Sequence, residues 1–280
     1  MRAGLSENKE QIIEEEPKVN TKKQEIIKEG NTDSAPPIPG RDSKKLYNSI
    51  YRINVESKEG NIIGTGFFIR LNLKNEMKLF LVTCHHIIQK QNVDEKITIT
   101  LYYGEFNKEK CYKIKLDENE RYIKCFSRSD ITLIEIIDKD DISKDNKDNY
   151  LLPDLNYKNG LDFYKNNFFY LAGYPKIGLN EIERSISSGQ IINIIDEAEF
   201  EHSIYTGPGN SGSPICFSAS NNLFVVGIHK HSIKIESKFL NYGTFLGYIL
   251  DNLENEDKNV NKINLIENKN LLYVIKRFFF

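Results

Sequence analysis

The sequence has no tryptophan, only two methionines and only four cysteines in 280 residues. The cysteines form no C-x-x-C pair and no spacing typical of metal ligands, so we expect no metal site and no other cofactor. No apolar run approaches the roughly 18 residues of a membrane span, and the first twenty residues lack the apolar core of a signal peptide. We therefore expect an intracellular, cytoplasmic protein with free thiols.

An excess of either charge is also missing. The chain has 38 Lys and Arg against 40 Asp and Glu, a formal net charge of −2, and no basic stripe is visible. Such a chain creates no overall positive field to attract nucleic acid or an anionic membrane. We expect neither as a partner, and the sequence leaves the oligomeric state open.

The two ends of the chain differ in composition from its middle. Residues 1–45 carry mixed charge, few aromatic residues and the stretch "SAPPIPGRDSKK". Because such a segment buries too little apolar area to offset its ordering entropy, it is predicted to be a disordered tail. Residues 251–280 form a polar C-terminal extension. The stretch "GYILDNLENE", residues 247–256, overlaps its beginning and could be a short helix.

The middle of the chain consists of short β-branched and aromatic runs separated by turn residues. In the first half these runs are "SIYRINVES", "NIIGTGFFIRL", "KLFLVT", "KITITLYY", "CYKIKL" and "DITLIEII". After a polar linker near residues 138–160 they resume with "FFYLAGYP", "RSISSGQIINII", "FEHSIYT", "SPICFS", "LFVVGIH" and "YGTFLGYI". The pattern predicts two all-β halves, 46–140 and 160–250, built as antiparallel barrels or a sandwich.

One glycine-rich segment, "GPGNSGSPICF" at residues 207–217, holds a serine in a shaped turn. A serine hydroxyl becomes a nucleophile only with an adjacent base, a group that orients the base, and donors aimed at the developing negative charge. The backbone N–H groups of Gly209 and Ser211 could be those donors, whereas Pro208 has none. Ser211 is therefore the candidate nucleophile.

The other two parts are found earlier in the chain. "LFLVTCHHII" offers His85 and His86 directly after an apolar strand, and "SRSDITLIEI" places Asp130 at the start of another. A carboxylate at the start of an apolar strand can be buried against a histidine. From these residues alone either histidine could be the base.

The motifs, taken in order, resemble those of trypsin-like serine proteases, with a pattern closest to glutamyl endopeptidases and high-temperature-requirement proteases. They are "GTGFFI", "VTCHHI", "SDITLIEI", "LAGYP", "SSGQI", "GNSGSP" and "VVGIH", spread over roughly residues 47–250. The resemblance implies two six-stranded antiparallel β-barrels in a trypsin-like protease domain at 46–250. Counting T-x-x-H from Thr83, it also implies that His86 is the base of a triad with Asp130 and Ser211.

This resemblance implies a serine endopeptidase that cleaves proteins or peptides through an acyl-enzyme, with an oxyanion hole at Gly209 and Ser211. Two other functions stay open: a catalytically silent binding module with the protease fold, and a hydrolase of non-peptide esters. A silent module has no need to keep all three of His86, Asp130 and Ser211, which favours the enzyme.

The expected S1 pocket lies before the serine and along the later strand. Thr206 and His229 match positions at which glutamyl endopeptidases bind a P1 glutamate, and both side chains can donate hydrogen bonds to a carboxylate. An acidic P1 preference follows. Tyr205 could instead partly fill the pocket and favour small or apolar P1 residues.

Overall fold

The computed structural model describes residues 38–57, 60–104, 109–146, 148–165, 167–177, 181–219, 222–235 and 238–256. The predicted N-terminal tail lies outside these residues as far as residue 37. Residues 40–45 of the predicted tail are helical rather than disordered, because they belong to helix α1 (Gly40–Ser49). Asp42 of this helix is buried and accepts a hydrogen bond from Ser218 at 2.8 Å, which ties the helix to the second half of the chain.

In the first half, the described residues form seven strands and two further helices. The strands are β1 (Ile50–Ser57), β2 (Gly60–Leu73), β3 (Glu76–Cys84), β4 (Thr98–Tyr103), β5 (Lys110–Lys115), β6 (Ile123–Phe126) and β7 (Ile131–Glu135). The helices are α2 (Lys90–Asp94) and α3 (Asp141–Asn146), the second within the predicted linker. The strands form one sheet in the order β5-β4-β1-β2-β3-β7-β6, with antiparallel neighbours throughout.

The second half begins with a short strand and two 3₁₀ turns and then forms a barrel. Its elements are β8 (Leu152–Pro153), the turns Asn156–Asn159 and Leu161–Tyr164, β9 (Phe168–Gly173), β10 (Lys176–Ile177), β11 (Glu181–Ile182), β12 (Ser185–Ile194), β13 (Glu199–His202), β14 (Pro214–Ala219), β15 (Asn222–Ile235) and β16 (Lys238–Phe245). Six of these strands close into a ring, β14-β9-β12-β13-β16-β15, because β15 also pairs with β14. Residues 246–256 are helical, as predicted for "GYILDNLENE", and the rest of the C-terminal extension lies outside the described residues.

The all-β prediction is confirmed, and the barrel prediction is confirmed for the second half. In the first half the described residues show a seven-stranded sheet without a ladder between its edge strands β5 and β6. Strand β6 was missed in the sequence because its short run lies among turn-forming residues. Among the described residues, no helix has the length and apolar character needed to cross a membrane.

A single large cluster of buried side chains spans both halves. It includes Phe67 and Leu81 of the first sheet together with Ala172 and Ile228 of the barrel. A smaller cluster inside the barrel contains aromatic rings in contact, among them Phe200 and Phe245, whose centroids are 4.4 Å apart and whose planes are tilted by 42°. Because the halves share a core, the residues at their junction are positioned by both.

Thr65 of β2 makes buried polar contacts at this junction. Its hydroxyl donates to the carbonyl of Gly209 at 2.8 Å and accepts from the N–H of Tyr174 at 3.0 Å. Its N–H donates to the carbonyl of Ser211 at 2.8 Å, and its carbonyl accepts from the Thr83 hydroxyl at 2.7 Å. One side chain and one peptide unit thus join the first sheet to the turn that carries Ser211.

Replacing Thr65 with valine keeps the shape of the side chain and removes the hydroxyl. The N–H of Tyr174 then has no partner in a buried site, so we expect the free energy of unfolding to fall by about 1–3 kcal/mol. Urea denaturation of Thr65→Val measures this, with the exposed Thr98→Val on β4 as the matched control. Equal stability of both variants would contradict the structural role of the Thr65 hydroxyl.

Candidate active site

The pairing of β3 with β7 brings His86 to Asp130. In this ladder Cys84 lies opposite Ile131, so the residues that follow β3 meet the residue that precedes β7. The backbone N–H of His86 donates to Oδ1 of Asp130 at 2.8 Å, and its ring Nδ1 lies 2.7 Å from Oδ2. The N–H of His85 donates to the backbone carbonyl of Asp130 at 3.0 Å. Three hydrogen bonds therefore fix the carboxylate relative to the His86 ring.

Asp130 holds an unusual backbone conformation, with φ of 55°. Left-handed backbone is costly for a residue other than glycine and is retained where the surrounding structure imposes it. Here the turn is held from the second half as well, because the Thr244 hydroxyl of β16 donates to the carbonyl of Ser129 at 2.8 Å. The strain is offset by contacts that place the carboxylate under His86.

The structure distinguishes the two candidate bases. His85 directs its Nδ1 to the Thr132 hydroxyl at 3.2 Å and is partly buried, and burial lowers its pKa. Only the ring of His86 contacts the carboxylate of Asp130, and its side chain is 42% exposed, as a base that meets substrate must be. His86 is therefore the histidine placed for general base chemistry.

The turn around Ser211 requires glycine at two positions. Gly209 and Gly212 have φ of 95° and 87°, values that other residues rarely adopt. A Cβ on Gly212 would lie 2.0 Å from the carbonyl oxygen of Thr65, and one on Gly209 would lie 2.4 Å from that of Tyr174. Gly212 therefore allows the serine turn to pack directly against the first sheet, and Gly209 allows it to pack against the segment that follows β9.

Two backbone donors of this turn are free. The N–H groups of Asn210, Gly212 and Ser213 donate to backbone carbonyls, whereas those of Gly209 and Ser211 have no partner among the described residues. Two unpaired N–H groups in one tight turn form an arrangement able to stabilise an oxyanion. These are the two residues that the sequence predicts for that task.

Ser211 lies beside the strand that leads to His86. The N–H of Gly212 and the thiol of Cys84 both donate to the carbonyl of His229, at 2.9 and 3.3 Å, and so link the serine turn to the end of β3. In the described part of the chain no hydrogen bond joins the Ser211 hydroxyl to the His86 ring. In proteases without substrate this bond is often long and tightens only when substrate binds.

The predicted pocket residues Thr206 and His229 lie close to polar groups that the sequence analysis missed. A bulge in β15 leaves Lys230 without a partner in β16 between the pairs His229–Gly243 and His231–Tyr242. One extra residue reverses the alternation of side chains along a strand, so His229 and Ser232 share a face of the sheet. Sequence patterns of period two place them on opposite faces, which is why Ser232 was missed.

Thr206 belongs to a small hydroxyl and amide cluster on that face. The hydroxyls of Thr206 and Ser232 both donate to Oδ1 of Asn241, at 2.9 and 2.5 Å, and lie 3.1 Å from each other. The amide of Asn241 donates to the carbonyl of Ile204 at 2.8 Å, which fixes its orientation. Without substrate, both hydroxyl protons of this cluster are therefore already donated to Asn241.

His229 is buried against a second histidine. Its Nδ1 lies 3.1 Å from Nε2 of His202, with the two rings at 76°. Burial lowers the pKa of His202 to about 3, and burial together with neighbouring histidines lowers that of His229 well below its usual value. Both rings are therefore neutral at pH 7. The alternation in "FEHS", where Phe200 is buried, could have indicated that His202 points inward.

The side chain of Tyr205 is 74% exposed, and Thr206 next to it belongs to the hydroxyl and amide cluster. The backbone carbonyl of Tyr205 accepts a hydrogen bond from the Ser187 hydroxyl at 2.7 Å. That the Tyr205 ring partly fills the pocket stays a prediction.

The bulged residue Lys230 supplies a buried positive charge near Asp130. It is 7% exposed and forms an ion pair with Glu199 of β13. Burial raises the pKa of the Asp130 carboxyl, but the hydrogen bonds and charge of His86 and the charge of Lys230 outweigh burial, so the pKa lies below its usual value. The ionised carboxylate is the form that can hold the His86 ring.

Replacing Lys230 with methionine tests this electrostatic contribution. A carboxyl with a lowered pKa in the folded protein stabilises the fold above its unfolded pKa and loses that contribution as the pH falls through the folded pKa. Without the Lys230 charge we expect the folded pKa of Asp130 to rise, so the acid loss of stability begins at higher pH. NMR titration of the Asp130 carboxyl measures it, with the partly exposed Lys124→Met as control. An unchanged pKa would rule out this role.

Known proteins are similar to this chain in fold. A family model described as trypsin-like peptidase domain matches residues 64–228, more than half of the chain. A serine endoprotease from Yersinia pestis aligns with a TM-score of 0.53 and 10% identity over 80% of this chain and 68% of its own. A thermostable serine protease, AL20, from an extremophilic microorganism aligns with 0.53 and 9% over 75% and 96%.

An inactivated protease paralogue from the scabies mite is similar to the same degree. It aligns with a TM-score of 0.52 and 13% identity over 77% of this chain and 96% of its own. No curated protein sequence matches the chain. At these identities the structural likenesses show the fold alone, whereas the family model also matches the sequence. The chain therefore belongs to the trypsin-like peptidase domain family.

Proposed function

We propose that the protein is a serine endopeptidase that uses His86, Asp130 and Ser211 to cleave proteins or peptides. The observation that carries this proposal is the His86 ring, bonded to the Asp130 carboxylate at 2.7 Å beside a serine turn with two unpaired backbone donors. A peptidase fold alone would not suffice, because the similar structures include an inactivated paralogue.

The proposed chemistry follows from the positions of these groups. Ser211 Oγ attacks the peptide carbonyl while Nε2 of His86 takes its proton, and Asp130 keeps the remaining proton on Nδ1. The N–H groups of Gly209 and Ser211 stabilise the oxyanion. His86 then returns the proton to the leaving amine, and water hydrolyses the acyl-enzyme by the same steps.

Substitutions in the triad test this function with a peptide library as substrate. We expect Ser211→Ala to lower kcat by about 10⁶-fold and Asp130→Asn by about 10⁴-fold, the latter because the His86 tautomer is no longer held. Ser143→Ala on α3 is the matched control and should cleave at the unaltered rate.

The outcomes separate the alternative functions. Peptides that bind to the unaltered protein but are not cleaved would overturn the peptidase and support a silent binding module. Cleavage of a simple ester without cleavage of any peptide would point to a hydrolase of non-peptide esters. Cleavage that persists in Ser211→Ala would exclude Ser211 as the nucleophile.

We further propose an acidic P1 preference, supported by Thr206, Ser232 and His229 around the pocket. Because Asn241 already accepts both hydroxyl protons in the free protein, a P1 carboxylate exchanges hydrogen bonds instead of filling vacant ones. The preference is therefore modest, on the order of tenfold, the scale of one net hydrogen bond. Charge on His229 adds to it only when the ring is protonated.

Two peptides that differ only in Glu or Gln at P1 test this preference. His229 is neutral at pH 7 because its pKa lies well below the usual value, and the ring stays neutral as the pH falls to about 5, so the ratio of kcat/KM for Glu over Gln should stay nearly constant from about pH 8 to 5, where the P1 carboxylate is ionised. The ratio cancels the common titration of the triad. Thr206→Val should reduce it, and Thr98→Val should not. A ratio below one at every pH would overturn the acidic preference.

A further inference from the structure

A cysteine completes a group of three different metal-binding side chains at the proposed active site. One donor atom from each of Cys84, His86 and Asp130 lies within 4.8 Å of the other two. This group is not visible in the sequence, because Asp130 is remote in the chain and the C-x-H spacing alone is not a recognised ligand pattern. The ladder between β3 and β7 assembles it.

The three donors suit one kind of ion. Thiolate sulfur selects borderline or soft metals such as Zn²⁺, whereas Mg²⁺ and Ca²⁺ prefer oxygen ligands. Around tetrahedral zinc, ligands at about 2.0–2.3 Å from the metal lie roughly 3.5 Å apart. The existing separations of at most 4.8 Å therefore need only small movements of side chains, with the His86–Asp130 pair opening and the cysteine approaching.

The backbone that carries these ligands is held from several sides. His85 and His86 donate backbone hydrogen bonds to Asp130, and Thr244 holds the residue before it. The Cys84 side chain is fully buried beneath, whereas the His86 ring is 42% exposed. An ion would therefore enter from the substrate side and keep an open position there for water.

We propose that Cys84, His86 and Asp130 form a site at which Zn²⁺ binds and reversibly inhibits the enzyme. On binding, the Cys84 thiol loses its proton to solvent and its sulfur bonds to the metal. The His86 ring binds through Nδ1 and keeps one proton, which moves to Nε2, while Asp130 exchanges its bond to Nδ1 for a bond to the ion.

Inhibition follows from the final position of the His86 ring proton, which is Nε2. In the proposed reaction Nε2 of His86 must accept the proton of Ser211, and for this its lone pair has to be free. An imidazole that binds a metal through Nδ1 carries its proton on Nε2, so it cannot act as the base. The metal also takes the carboxylate of Asp130 away from its orienting role.

Metal binding can be measured directly on the full-length protein after treatment with a chelator. Titration with Co²⁺, a spectroscopic substitute for Zn²⁺, should give the absorption of a thiolate–cobalt bond at one ion per chain, and Zn²⁺ should displace it. Cys84→Ser, which keeps the size of the side chain and a donor for the His229 carbonyl, should lose the thiolate absorption. It should also bind Zn²⁺ about 100-fold more weakly. Loss of a partner that only contacts a ligand already lowers metal affinity by about 10- to 100-fold, and Cys84 is itself a ligand.

Two controls locate the site. Cys125→Ser changes a partly buried thiol near His85, linked to it through Thr132, and Cys216→Ser changes a thiol as buried as that of Cys84. Both should keep the thiolate absorption and the Zn²⁺ affinity. Loss of the absorption in Cys125→Ser but not in Cys84→Ser, or tight Zn²⁺ binding without any thiolate absorption, would overturn the proposal. Thermal unfolding checks that each variant is folded.

The inhibition part of the proposal rests on the proposed peptidase function, and the binding part does not. With an active enzyme, we expect the Zn²⁺ concentration that halves the rate to follow the directly measured affinity and to rise in Cys84→Ser. Zn²⁺ binding at Cys84 that leaves cleavage unaffected would overturn the inhibition. An inactive protein that still shows the thiolate absorption would refute the proposed function alone and support the metal site.

Discussion

The arrangement of the candidate site depends on the hydrogen bonds of Thr65. This residue belongs to the first sheet, yet its N–H and its hydroxyl bond to Ser211 and Gly209 of the serine turn in the second half. Its carbonyl is held by Thr83, on the strand that leads to the histidines. Ser211 and His86 come from different halves of the chain, so their relative position is only as well defined as this junction.

The position of His86 relative to Asp130 is set by the pairing of two neighbouring strands. Because β3 ends at Cys84 and β7 begins at Ile131 in the same ladder, no long loop intervenes between the His86 ring and the Asp130 carboxylate. The cost is a left-handed backbone at Asp130, which the hydrogen bonds from His85 and His86 offset. The junction and the strained turn together position His86, Asp130 and Ser211 in turns next to the ends of strands.

Much of this was predictable from sequence and some of it was not. Runs of β-branched and aromatic residues predicted twelve of the sixteen described strands, and the order of short motifs indicated His86, Asp130 and Ser211. The residues that were missed depend on contacts between distant strands: His202 meets His229, and Asn241 accepts from Thr206. Local patterns carry no information about such pairs. For the same reason the sequence did not show that a thiol lies beside His86 and Asp130.

One extra residue in β15 accounts for two of these features. The bulge at Lys230 turns His229 and Ser232 to the same face, and it also sends a lysine into the protein, where it pairs with Glu199. A buried ion pair adds little net stability, because desolvation of both charges offsets their attraction. The main effect of this pair is therefore to hold a positive charge near Asp130. The pocket histidines are neutral, so Lys230 adds a buried positive charge to the hydrogen bonds of His86, which contribute more to keeping Asp130 ionised.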